Sequence, residues 1–301
     1  MDFLADDIIT GERLQALSEI TVTTKPMVRF HRSMRAAGVR NIALFQGDQE
    51  QLEPTPDALA RLRGKRRIFV YTHLLPSFFE HVFPRLDHSF VLITHNSDSP
   101  VDARYLPQLG DDRIRAWFGQ NAAIRHPKLA PLPIGLANAQ WRHGKLMRFI
   151  EQVRRPPAER QPLIYVNFLV RTNPAVRAPI LDSMSELKNA WIAPKRRFRR
   201  YLSDMASCRW CVSPPGNGID CHRTWEALYL GVVPVVEQGV CGEDLYRGLP
   251  VVECEDLTRL DPAQVAANTL AVTQNPREWH RMTMSYWRLR ISAEAEAIAS
   301  S

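Results

Sequence analysis

Several absences narrow what this chain can be. Its longest nearly unbroken apolar run, Ala227–Val236, is about half the length needed to cross a bilayer. The opening residues, MDFLADDIIT, are acidic and lack the basic and apolar regions of a signal peptide. Five cysteines, an odd number, do not suggest a disulfide framework. These features point to a cytoplasmic protein with buried, reduced thiols. Cys208 and Cys211 form one C-x-x-C, but no second pair accompanies it, so no structural zinc is expected. The phosphate-binding pattern G-x-x-x-x-G-K-[ST] is missing, which excludes a P-loop. There is no D-x-D, no internal repeat and no low-complexity tract. A net charge of +7 and a pI near 9.4 favour anionic partners, among them nucleotide sugars, acidic glycans and anionic membrane surfaces contacted peripherally. Nucleic acid is not the expected partner, because no helix-turn-helix, zinc finger or aromatic RNA-binding signature is found.

What is present is an α/β rhythm. Apolar runs at 41–45, 67–72, 89–94, 114–118 and 129–134 read as strands, and their length and continuity suit a parallel sheet buried on both faces. Helical patterns at 11–19 and 27–37 precede them. Arg154-Arg155-Pro156-Pro157 and Gln161-Pro162 interrupt the pattern and mark a boundary. A second rhythm follows, with strands at 163–168, 190–192, 210–212, 232–236 and 251–253. Its helices are expected at 175–185, 198–206, 221–230, 244–247 and 262–274, and a long final one at 276–299. In that last helix Trp279, Met282, Tyr286 and Leu289 recur at helical spacing and read as a packing stripe.

The second half is organised around Ser207–Val236. A short apolar strand, a Pro/Gly turn (Pro214–Gly218), a helix and another apolar strand make a βαβ unit with parallel strands. Ligands of open α/β sheets bind beyond the carboxyl ends of the strands, where this chain places Gly216, Asn217 and Gly218. A helix N-terminus there attracts phosphate, with Asp220 as the expected N-cap. His222, Arg223 and Glu226 share one face of the helix by their spacing. A cation next to a phosphate-binding turn, with a carboxylate one turn deeper, suits a nucleotide: diphosphate at the helix end, ribose hydroxyls on the acid. The third glycine of a dinucleotide fingerprint is replaced by Cys221, which argues against a dehydrogenase.

The run SPPGNGIDCHRTWEALYLGVVPVV (Ser213–Val236) resembles the donor-site signature of exostosin-like glycosyltransferases. Weaker similarity covers 162–178 and 90–145. The resemblance implies a GT-B fold, with two Rossmann-like domains facing a cleft. Residues 1–155 would be the acceptor-side domain and 156–301 the nucleotide-sugar donor domain, the final helix returning toward the first. It also implies that Arg223 and Glu226 hold the nucleotide sugar, that the donor carries UDP and that the anomeric centre is inverted. The chain departs from the family at Pro215, where many members carry Arg, and that departure touches the donor's phosphate contacts. The missing membrane anchor suggests a soluble, bacterial-type relative.

Further candidates follow from position. Arg171, after the first strand of the second half, would meet the diphosphate; Arg177 reads as a solvated loop residue. Ser213 and Asn217 would bond donor oxygens. Transfer with inversion needs a base for the acceptor hydroxyl, and His95 and Asp98, just beyond an apolar strand, are the candidates, with Asp48 and His73 in reserve. Asn121, Asn138, Trp141 and His143, with His126, would line the acceptor side, the acceptor being a glycan or other hydroxyl compound. No metal or cofactor is expected beyond the donor itself. A nucleotide- or glycan-binding protein of the same fold without turnover is the alternative, and a basic nucleic-acid-binding protein a more distant one. The run Lys195–Arg200 (KRRFRR) reads first as a solvated helix start, and otherwise as a surface for an anionic acceptor, membrane or nucleic acid.

Overall fold

The computed structural model describes residues 5–141, 143–144, 146–153, 159–239, 244–274 and 276–299, with side chains for all of these except 29–32, 147–148 and 277. The chain forms two compact α/β units. One comprises Ile9–Ile134 and Met284–Ser301, the other Met1–Ile8 and Gly135–Thr283.

In the first unit, seven strands form one sheet. They are β1 (Ile20–Thr24), β2 (Ile42–Gly47), β3 (Leu52–Glu53), β4 (Arg67–Tyr71), β5 (Phe90–His95), β6 (Ile114–Gln120) and β7 (Leu129–Leu132). Their order is β3-β2-β1-β4-β5-β6-β7, parallel throughout except where β3 pairs antiparallel with β2. Every residue of β5 is buried, as a strand covered on both faces must be. The helix Met284–Ala299 supplies Met284, Trp287, Ile291 and Ala295 to the same core, contacting β5 and β6.

The second unit has five parallel strands: β8 (Gln161–Val166), β9 (Ala190–Ile192), β10 (Cys208–Val212), β11 (Val233–Glu237) and β12 (Val252–Cys254). The order is β12-β11-β10-β8-β9, so the direction of winding reverses between β8 and β10. Ile164, Val166, Trp210, Val212, Val233 and Val235 anchor its core against helices Pro174–Glu186 and Pro262–Thr273. Both units are compatible with Rossmann-like domains.

Several expectations need correction. The division of the chain falls at 134/135, not at 155/156, and the Arg/Pro break at 154–158 lies outside the described residues. The final segment is not one helix. Pro276–Met282 is 3₁₀, and the α-helix begins at Met284. The change of winding at Thr283 resets the phase, so Leu289 is 73% exposed while Trp287 and Ile291 take the core positions. Residues 244–247 form turns and bends, not a helix.

Candidate functional site

The reversal between β8 and β10 is where an open α/β sheet splays its strand ends, and the carboxyl ends of both strands meet the ligand edge there. β10 buries Trp210, Cys211 and Val212, the chain turns through Pro214–Gly218, and the helix His222–Tyr229 follows. Its N-cap is Cys221, with no side-chain cap bond. Asp220, expected to cap, is instead drawn inward to 2% exposure. It accepts from Trp225 Nε1 at 2.8 Å and from the Tyr246 hydroxyl at 2.7 Å, fixing the helix start to the core.

Arg177 is not a solvated loop arginine. It is 4% exposed, and it donates to Pro215 O at 2.8 Å, Pro214 O at 3.0 Å and Leu169 O at 3.0 Å, and to the Thr172 hydroxyl. It thereby clamps the turn after β10 to the segment after β8. A Cβ on Gly216 would sit 2.7 Å from Arg177 Nη2. Glycine is required here for the protein's own guanidinium, and the Gly216 N–H is spent on Gly218 O at 2.9 Å. Burial, then the charge of Arg223, lowers the Arg177 pKa.

Arg223 and Glu226 come together as their spacing implies. Arg223 Nε donates to Asn167 O at 2.8 Å, and its guanidinium lies 5.7 Å from the Phe168 ring centroid. Its Nη1 is buried without a hydrogen-bond partner, a costly state for a cation. Burial opposes its charge, but Tyr201, Cys221, Cys211 and Glu226 outweigh that and raise its pKa. Glu226 is 5% exposed, and its Oε2 accepts from the Tyr201 hydroxyl at 2.7 Å. Burial raises the Glu226 pKa, with the Tyr201 bond and the Arg223 charge opposing. The Tyr201 phenol is pushed well above its ordinary value by burial and by Glu226, so it stays a donor. Tyr201 and Asn167 escaped the sequence reading. Tyr201 sits directly after the basic run, and only the helix Phe198–Ala206 aims it at Glu226.

Other expected donor residues scatter in role. Ser213 turns inward, its Oγ 2.9 Å from Thr224 Oγ1. Asn217 is exposed, and so is Arg171, in the 3₁₀ turn after β8. His222 Nδ1 lies 2.7 Å from Gly135 O, and its ring is 6.1 Å from that of His143. Trp141 is 50% exposed, and Asn138 O accepts from the Trp141 N–H. Asn138, Trp141 and His143, expected on the acceptor side, belong to the same unit as Arg223 and Glu226; Asn121 belongs to the other.

In that other unit His95 ends β5 at 1% exposure. Its Nδ1 accepts from the Asn96 N–H at 2.7 Å, so Nε2 carries the proton and donates to Pro133 O at 3.0 Å. Burial holds its pKa down to about 4. Taking a proton from a substrate would require Nδ1 to release the Asn96 amide. Asp98, three residues on, is exposed. Asn121, at φ 55° and 2% exposed, braces this loop, donating to Ser97 O at 3.2 Å while its carbonyl accepts from Val101 N. His73 is half-buried, and the exposed Asp48 accepts from the amides of Glu50 and Gln51. His126 Nδ1 accepts from the Lys128 N–H.

Among the described residues no group of three or more His, Cys, Asp or Glu is placed to hold a metal, and no helix is long and apolar enough to cross a membrane. Neither the protein-family models nor the curated protein sequences compared with this chain give a match.

Proposed function

We propose that the chain is a GT-B glycosyltransferase that moves a sugar from a nucleotide-diphosphate sugar, UDP favoured, to a hydroxyl of a glycan or other acceptor. One observation carries the reading. At the winding reversal of the five-stranded sheet, the half-buried Arg223, whose Nη1 is buried and unpaired, stands one turn from a buried carboxylate held by a phenol. An anion of the donor would supply the partner Arg223 lacks, and diphosphate is the group whose charge grows as the sugar departs. Glu226, one oxygen fixed by Tyr201, would accept from ribose hydroxyls. Arg171, exposed after β8, would add a second cation. Of the two base candidates, Asp98 can accept a proton without breaking an internal bond, and His95 would serve to hold the loop that presents it. Inversion and the UDP donor belong to the proposal through the resemblance, and metal independence through the cations and helix end that would stabilise the departing diphosphate.

The test is a thermal-shift series with UDP, GDP, CMP and their sugars in the absence of metal. Ligands that bind the folded state raise its melting temperature. UDP and UDP-sugars are expected to do so, and Arg223→Met and Glu226→Gln to abolish the shift and to slow hydrolysis of the sugar nucleotide by about a hundredfold. No shift with any nucleotide overturns the reading. The engaged ring of His95 favours one second reading, a nucleotide-binding protein without turnover, which predicts the shift but no hydrolysis.

A further inference from the structure

The five-stranded sheet ends at β9, an edge strand paired only with β8. From Lys188 to Leu202 the chain carries six cations and no acid. Two of them share one acid: Arg196 Nε lies 3.4 Å and Arg200 Nε 2.7 Å from the buried carboxylate of Asp204, which offsets one of the two charges. That pairing ties the run to the helix Phe198–Ala206. Lys195, Arg197 and Arg199 are exposed, and among the described residues no ion pair holds them. The carboxyl ends of β8 and β9 also leave apolar side chains in water, Ile192 closing β9 and Leu169 three residues past β8. Ile192 is 43% exposed and Leu169 is 51% exposed. The Val166–Ile192 register and the Asn167 Nδ2 bond to Pro194 O at 3.3 Å tie the ends of β8 and β9 together.

We propose that this edge docks on an anionic lipid bilayer. A nucleic-acid backbone or an acidic glycan would satisfy the cations but leave Leu169 and Ile192 wet. A bilayer surface takes both kinds of group, phosphate headgroups for the cations and the acyl boundary for the two aliphatic side chains. Each Lys or Arg near an anionic leaflet raises partitioning roughly fivefold, so the three unpaired cations together supply on the order of a hundredfold. Two small apolar side chains alone would bind weakly, and the combination of both signals is what gives stable attachment. Asp204 contributes by tying Arg196 and Arg200 to the helix Phe198–Ala206 that follows the exposed Lys195 and carries Arg199. The docking does not rest on the glycosyltransferase reading: its readout is vesicle binding, and its variants leave Arg223, Glu226 and Tyr201 in place.

The experiment is flotation of the full chain with vesicles of phosphatidylcholine alone and of phosphatidylcholine mixed with phosphatidylglycerol. Binding is expected only to the mixed vesicles, and it should weaken as salt is raised. The triple change Lys195→Gln, Arg197→Gln, Arg199→Gln should lower partitioning by on the order of a hundredfold, and Leu169→Ser with Ile192→Ser by about tenfold. Melting temperatures of both variants serve as the folding control, and the wild-type salt dependence needs no variant at all. Absence of binding to the anionic vesicles overturns the proposal. So does vesicle binding that survives the triple change, or retention on duplex DNA that equals vesicle binding and ignores the Leu169/Ile192 change, which would mark a general polyanion surface.

Discussion

A histidine whose two ring nitrogens are both engaged inside a protein titrates with the fold. His95 has a folded pKa of about 4 against an ordinary 6.5. Between those values the unfolded chain binds a proton that the folded chain refuses, so stability is fully present above about 6.5 and is lost as pH falls toward 4. The whole span is worth about 3 kcal/mol. Chemical denaturation at pH 7 and at pH 4.5 should show a loss of about 2 to 3 kcal/mol from this group. His95→Gln should flatten that limb while lowering stability at neutral pH. The sequence marks His95 as polar chemistry at a strand end, which is where it lies. What a linear reading lacks is the direction of the ring, set by Pro133 O, thirty-eight residues away. Ser213 shows the same limit: its residue type suits a ligand contact, and its partner Thr224 turns it inward.

At the scale of the element, the strand, turn and helix from Cys208 to Tyr229 were legible because each carries a local signal. Continuous apolar residues, a Pro/Gly cluster and a 3.6-residue period succeed one another without overlap. The cap was not legible. Asp220 has the chemistry of an N-cap, but Cys221 takes that position, and the Asp220 carboxylate accepts from Cys221 N–H, Trp225 and, twenty-six residues later, Tyr246. Arg177 and Arg171 divide in the same way, one clamping the turn and one exposed. Arg177→Met removes the guanidinium from Pro214 O, Pro215 O and Leu169 O, of which Leu169 O keeps Thr172 as a donor, and should cost about 3 kcal/mol. The melting temperature should fall by about 6 to 12 °C. Arg171→Met should stay within about 0.5 kcal/mol of the wild type while weakening the nucleotide-induced shift. Equal melting temperatures for the two variants would contradict the clamp.

For the whole molecule, composition along the chain located two α/β halves but misplaced where one ends, because membership of a unit is decided by packing partners far apart in sequence. Met284, Trp287, Ile291 and Ala295 complete a core begun at Ile9. Trp287→Ala should therefore cost about 3 to 5 kcal/mol, and the loss should be read in β5 and β6. Hydrogen exchange is the suitable measurement: amides of Phe90–His95 and Ile114–Gln120 should lose protection, while those of β8 and β10 keep theirs. The connectivity also bears on biosynthesis. Because the Gly135–Thr283 stretch is inserted between the two segments of its companion, the ribosome delivers all of it before the last helix emerges. The later-encoded sheet can thus mature first, while the earlier one waits on the nascent chain with its Trp287 berth empty. Only once Met284–Ala299 has been made does that sheet receive the side chains that complete its core.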